Sequence, residues 1–216
     1  MKTTLAIEFW KGTKSANKTT VMKQITPFAV LGITLALAGC VVTSVYPYYT
    51  EKDVTFDPAL VGVWVSAKPD GNNNESWTFE KNGDRDYKFT TMDANSTNEY
   101  SAHLFKLKEQ LFLDALTIDQ PGFGVPPHYL LKIAQTKPTL QAAVIDYDWL
   151  SKLLEKNPEA VRHILVRDNP GDAGNTNSRV VLTADTRELQ KFVLGHLQDG
   201  FGETIEMKRP ESGHKP

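Results

Sequence analysis

Between Glu75 and Thr91 the chain alternates strictly. Trp77 and Phe79 fall on one face, Ser76, Thr78 and Glu80 on the other, and Tyr87, Phe89 and Thr91 resume the period after a short break. A period of two marks half-buried strands. The break is Asn82-Gly83, two residues that tolerate the positive φ of a type I′ turn, so 75–91 is predicted to be a hairpin. A lone hairpin is barely stable in water; three or more strands sharing an apolar face are needed.

The rest of the chain supplies them. Leu60-x-Gly62-x-Trp64 places a large aromatic and a glycine on one strand face. Tyr100 to Lys108 and Leu111 to Ile118 read as strands joined by a tight Glu109-Gln110 turn. The second is apolar on both faces, with Asp114 the lone intruder, and so should be covered on both sides. The run Asp119-Gln-Pro-Gly-Phe-Gly-Val-Pro-Pro127 excludes regular structure. His128 to Gln135 and Leu140 to Tyr147 form a further hairpin around Lys137-Pro138.

At Asp148 the period lengthens. Trp149, Leu150, Leu153 and Leu154 make a helical stripe with Asp148 as its N-cap, and Asn157-Pro158 signals a second short helix. His163 to Arg167 and Arg179 to Thr183 read as strands on either side of a polar loop, 168–178. Asp185-x-x-Glu188 resembles a capping box; the helix it opens carries Leu189, Phe192, Val193 and Leu197 and stops near Gly200. Ile205 and Met207 alternate in a last strand. The expected fold is therefore α+β and mainly antiparallel β: a meander forming a barrel or sandwich, with two or three short helices in the C-terminal half. One globular domain is expected over 56–208, with a polar, disordered tail over 209–216.

The start of the chain is of another kind. Lys23 precedes an apolar run from Phe28 to Ala38, broken only by Gly32 and Thr34. That run is shorter than the roughly 20 residues a membrane-spanning helix needs, and reads as a secretory leader over 22–39. Residues 1–21 show no apolar period and sit upstream of a complete leader, so Met22 is the expected start. Leu37-Ala38-Gly39-Cys40 resembles the lipobox of bacterial lipoproteins. The resemblance implies cleavage before Cys40 and acylation of its sulfur. In that family an Asp after the cysteine commonly retains the protein in the inner membrane; Val41 stands here, which favours the outer membrane. Cys40 is the chain's one cysteine, so no internal disulfide is available. Residues 40–55 read as a tether, with Tyr46, Tyr48 and Tyr49 suited to a bilayer interface; an edge strand or a latch packed on the domain is the alternative.

Of the 216 residues, 177 remain after 1–39 are removed. The removed part holds five lysines and Glu8, so 19 basic and 25 acidic side chains are left, a net charge of −6. An acidic surface argues against nucleic acid as a partner and offers no basic grip on anionic lipid. The acyl chains would supply the hold.

Chemistry is sparse. The five histidines, His103, His128, His163, His196 and His214, show no zinc spacing, and no resident cofactor or metal is expected. No Gly-x-Ser-x-Gly elbow is present. His103, Asp114 and His128 are the one set that strand pairing could bring together for acid–base work. Phe123, flanked by glycines, and His128 border a loop suited to binding a partner or roofing a barrel mouth. Gly62-x-Trp64, the meander and the late helix resemble lipocalins; the resemblance implies a barrel and carries no ligand site with it. The expected function is that of a membrane-anchored envelope lipoprotein whose non-catalytic domain binds a partner protein or a small apolar ligand. An envelope hydrolase using His103, Asp114 and His128, and a purely structural envelope protein, are the alternatives.

Overall fold

The computed structural model describes residues 42–68, 75–118, 124–167 and 178–211. Two short strands come first, β1 (Thr43–Ser44) and β2 (Val54–Thr55). A meander follows: β3 (Gly62–Ser66), β4 (Ser76–Asn82), β5 (Asp86–Met92), β6 (Thr97–Leu107), β7 (Gln110–Thr117) and β8 (His128–Gln135). β9 (Leu140–Val144) leads into α1 (Tyr147–Lys156), β10 (His163–Arg167), β11 (Ser178–Leu182) and α2 (Thr186–Gly195), and β12 (Ile205–Lys208) ends the series.

From β3 to β9 each strand pairs antiparallel with the next. β12 then pairs antiparallel with both β3 and β9. The sheet therefore closes into an eight-stranded antiparallel barrel, which leaves the barrel itself no free edge. The excursion from α1 to α2 lies between β9 and β12 and does not disturb that order.

Strand alternation explains the two cores. Odd-numbered residues of β4, β5 and β7 point inward: Trp77, Phe79, Tyr87, Phe89 and Leu113 are at most 1% exposed. Phe79 stacks on Phe89 with ring centres 4.5 Å apart. Such rings bury roughly 150–250 Å² each, and an eight-stranded interior is just wide enough for side chains to fill. The even face of β7 and its neighbours looks outward into a second core. There Phe105, Phe112 and Leu130 meet Leu150 and Leu154 of α1 and Leu189, Phe192 and Val193 of α2. β7 is thus covered on both sides, as its composition requires.

Local details depart from expectation where two signals compete. Asn82 pairs with Asp86, so the first hairpin turns through three residues, 83–85, with positive φ at Gly83 alone. The β6–β7 turn is Lys108-Glu109, with φ 53° at Lys108, because Gln110 pairs with Leu107 and donates its side-chain amide to the Ile133 carbonyl. Asp146, not Asp148, caps α1 by accepting from the Trp149 amide at 2.9 Å; Asp148 falls in the first turn. Asn157 is the C-cap of α1, and Pro158 begins a turn rather than a second helix. Asp185 caps α2 as expected, accepting from Glu188 N–H at 3.0 Å, but α2 ends at Gly195. Arg209, assigned to the loose tail by sequence, is pinned: it donates to the carbonyls of Ala59, Val61 and Val63.

Candidate functional site

Residues 42–55 decide what the His–Asp cluster is for. Val42, Thr43, Ser44 and Tyr48 are buried, and β1 lies between β8 and β11, pairing Ser44 with His128. This segment, read as a tether with a packed latch as the alternative, is packed from Val42 onward. Tyr48 is 1% exposed, Tyr49 is half-buried, and Tyr46 is exposed.

Asp114 holds the segment down. It faces outward from β7 and is fully buried beneath residues 46–50. One carboxylate oxygen accepts the Tyr48 amide at 2.9 Å, and the other contacts His128 Nδ1 at 2.7 Å. A carboxylate at that distance fixes the imidazole proton on Nδ1. α2 closes over the same segment: Thr186 donates to the Pro47 carbonyl at 2.8 Å, and Gln190 donates to the Tyr48 carbonyl and to Asp53, each at 3.0 Å. Burial, with the Asp114 charge second, raises the Tyr48 phenol above its ordinary range. Burial opposes ionisation of Asp53, yet hydrogen bonds from Thr50 and Gln190 hold its carboxyl below the usual range.

His103 sits opposite Asp114 in the β6–β7 register and so shares its face. Its partners are different. Nε2 contacts Asp86 at 3.2 Å, and the ring stacks on Tyr49 with centres 4.5 Å apart. Burial first, then the Asp114 charge, push the Tyr49 phenol up to about 12. Strand pairing therefore brings His103, Asp114 and His128 onto one wall of the barrel, with His128 and Asp114 in contact.

A base held by a carboxylate is half of a catalytic triad. Ser44 is the hydroxyl nearest in register to His128, but it donates to the Tyr46 carbonyl at 2.8 Å and is itself fully buried. Among the described residues His128 has no hydrogen bond to a hydroxyl. Asp114 has 1% of its side chain exposed and His128 12%. Its polar atoms clip the N-terminal segment to the barrel.

The barrel interior offers little room. At the end where β5, β7 and β9 finish, Val42, Thr91, Tyr100, Tyr129 and their neighbours line a cavity of about 20 Å³, enough for roughly one water molecule. The opposite end is shut by Leu60, Trp64 and Arg209. Among the described residues no group of three or more His, Cys, Asp and Glu side chains gathers as a metal site, and no helix is long and apolar enough to cross a membrane. Leu37, Ala38, Gly39, Cys40 and Phe123 lie outside the described residues. Sequence reasoning missed two partners, the Tyr48 amide on Asp114 and Arg209 on Trp64. Main-chain donors carry no residue signature, and a single arginine after a strand has none either.

No protein-family model, curated protein or solved structure matches this chain.

Proposed function

We propose that this chain is a bacterial envelope lipoprotein, acylated on Cys40, whose barrel is a non-catalytic module that binds a partner protein. The observation that supports the non-catalytic part is the part-buried Asp114–His128 contact, whose carboxylate is occupied by the Tyr48 amide. The leader over 22–39 ending in Leu37-Ala38-Gly39-Cys40 supports the anchor. Two or more acyl chains hold a protein firmly to a bilayer, whereas one gives marginal residence. Val41 in place of Asp favours the outer membrane.

The closed up-and-down barrel with Gly62-x-Trp64 on its first strand supports a lipocalin-like plan, although an interior filled by Trp77, Phe79 and Phe89 argues for a protein partner over a carried apolar ligand. Labelled palmitate should enter the wild-type chain and not Cys40→Ser, which should also lose membrane association. Equal processing and membrane residence in the two proteins would remove the anchor. Crosslinking in intact cells should recover a protein attached to the barrel; purification with a tightly held lipid instead would shift the reading to a carrier.

A further inference from the structure

We propose that Asn95 is an acceptor for an N-linked oligosaccharide, added once the chain has left the cytoplasm. This rests on the exported, acylated state proposed above. Asn95-Ser96-Thr97 has the spacing of an N-glycosylation acceptor: an asparagine, any residue but proline, then a hydroxyl. The same spacing occurs at Asn17-Lys-Thr19, upstream of the proposed cleavage site, and at Asn74-Glu-Ser76, where Asn74 lies outside the described residues. So short a pattern arises often by chance, and its setting decides.

Residues 93–96 make the turn between β5 and β6, whose last pair is Met92 with Thr97. Asp93 folds that turn. One of its carboxylate oxygens accepts from the amides of Asn95 and Ser96 at 2.7 and 2.8 Å, and the other accepts from the Ser96 hydroxyl at 2.9 Å. The Asp93 amide donates to the Ser96 carbonyl at 3.0 Å. An aspartate bonding the main chain just ahead of it makes a preformed bend. Asn95, Ser96 and Thr97 are all exposed on it. The Asn95 main chain is tied to Asp93, yet its side-chain amide and the Thr97 hydroxyl have no hydrogen bond among the described residues. Both groups that a transferase must hold are therefore free of the barrel, and a bulky polar adduct fits here without unpacking it.

A neutral amide is a poor nucleophile, so the sugar must arrive on a good leaving group. The donor is an oligosaccharide joined through pyrophosphate to a polyprenyl lipid. Its anomeric carbon exchanges the bond to the pyrophosphate oxygen for one to Asn95 Nδ2. The lipid pyrophosphate leaves with the electron pair, and Nδ2 gives up one proton.

The experiment uses the full chain recovered from the envelope of its native cells. Trypsin releases residues 89–106 as one peptide, cut after Lys88 and Lys106. That peptide should be heavier by one oligosaccharide, with fragment ions placing the sugar on Asn95. Asn95→Gln and Thr97→Ala should each return it to its bare mass, whereas Thr97→Ser should keep the sugar. An unmoved urea midpoint in Asn95→Gln separates loss of the sugar from loss of the fold. A bare peptide from chains already cleaved before Cys40 overturns the glycosylation while export stands. Sugar retained in Asn95→Gln places the transfer on a hydroxyl and also overturns it. A chain that keeps its leader overturns export, and the glycan with it.

Discussion

The Arg209 guanidinium lies 3.7 Å from the centre of the Trp64 ring and donates to the carbonyls of Ala59, Val61 and Val63 at 2.7, 2.9 and 3.1 Å. It joins the end of the last barrel strand to the start of the first. Trp64 Nε1 in turn donates to the Leu60 carbonyl at 2.8 Å, so the plug at this end is a single hydrogen-bonded unit. Gly62 makes room for it: its φ is +114°, and an added Cβ would stand 2.7 Å from the guanidinium.

Arg209→Ala should therefore cost about 2 kcal/mol, a cation–π contact plus charged hydrogen bonds reduced for the exposure of this side chain. Arg209→Lys should recover less than half, because an ammonium cannot fork to three carbonyls. Gly62→Ala should destabilise both the wild type and Arg209→Ala, since the backbone strain persists without the clash. Urea denaturation midpoints decide it. A midpoint unmoved by Arg209→Ala would make the contact ornamental.

What could be read beforehand follows from how local each cause is. Alternation at Trp77, Phe79, Tyr87 and Phe89 fixed strand faces because side-chain direction is a property of neighbouring residues. The two-sided composition of β7 foretold both cores for the same reason. Closure was not legible: whether β12 returns to β3 depends on twist accumulated over the whole meander. Nor was the fate of residues 42–55, because the Tyr48 amide finds Asp114 across 66 positions. The turn at Asn82 failed by one residue, since register was set by pairing along the full hairpin rather than by the turn dipeptide.

Breaking the clip should be costly. Asp114→Ala strands the Tyr48 amide and a part-buried imidazole, a loss of about 3 kcal/mol. Asp114→Asn keeps an acceptor for Tyr48 and should lose less. Hydrogen exchange should show the effect first at the Tyr48 amide and along β1, before the barrel strands open. Uniform loss of protection across the barrel, with β1 no faster than β6, would mean the pair serves the barrel and not the segment.

The edge at β10 should govern self-association. Among the described residues β10 pairs with β11 alone, and Ile164 and Leu165 are 56% and 55% exposed. An apolar open edge invites pairing between copies, and a lysine there discourages it. Leu165→Lys should reduce concentration-dependent light scattering on heating while leaving the urea midpoint within about 0.5 kcal/mol. Unchanged scattering would place the association elsewhere.

Alkaline pH should destabilise the domain through its packed phenols. Burial is the first cause that pushes the phenols of Tyr49, Tyr87 and Tyr100 up to about 12, against about 10 in an unfolded chain. Their folded values are raised, so the stability they contribute is complete below pH 10. Between about pH 10 and 12 the unfolded chain has released these protons and the folded chain retains them. Folded molecules then bind more protons than unfolded ones, and stability falls as pH rises. Tyr87 also exchanges hydrogen bonds with Asp57, accepting from its amide at 2.8 Å and donating to its carbonyl at 3.0 Å. Tyr87→Phe should therefore lower stability at neutral pH yet flatten the decline above pH 10, because one of the raised phenols is gone. Tyrosinate absorbance and urea midpoints measured across that range test both effects. Stability independent of pH between 10 and 12 would mean these phenols reach solvent, contrary to their packing.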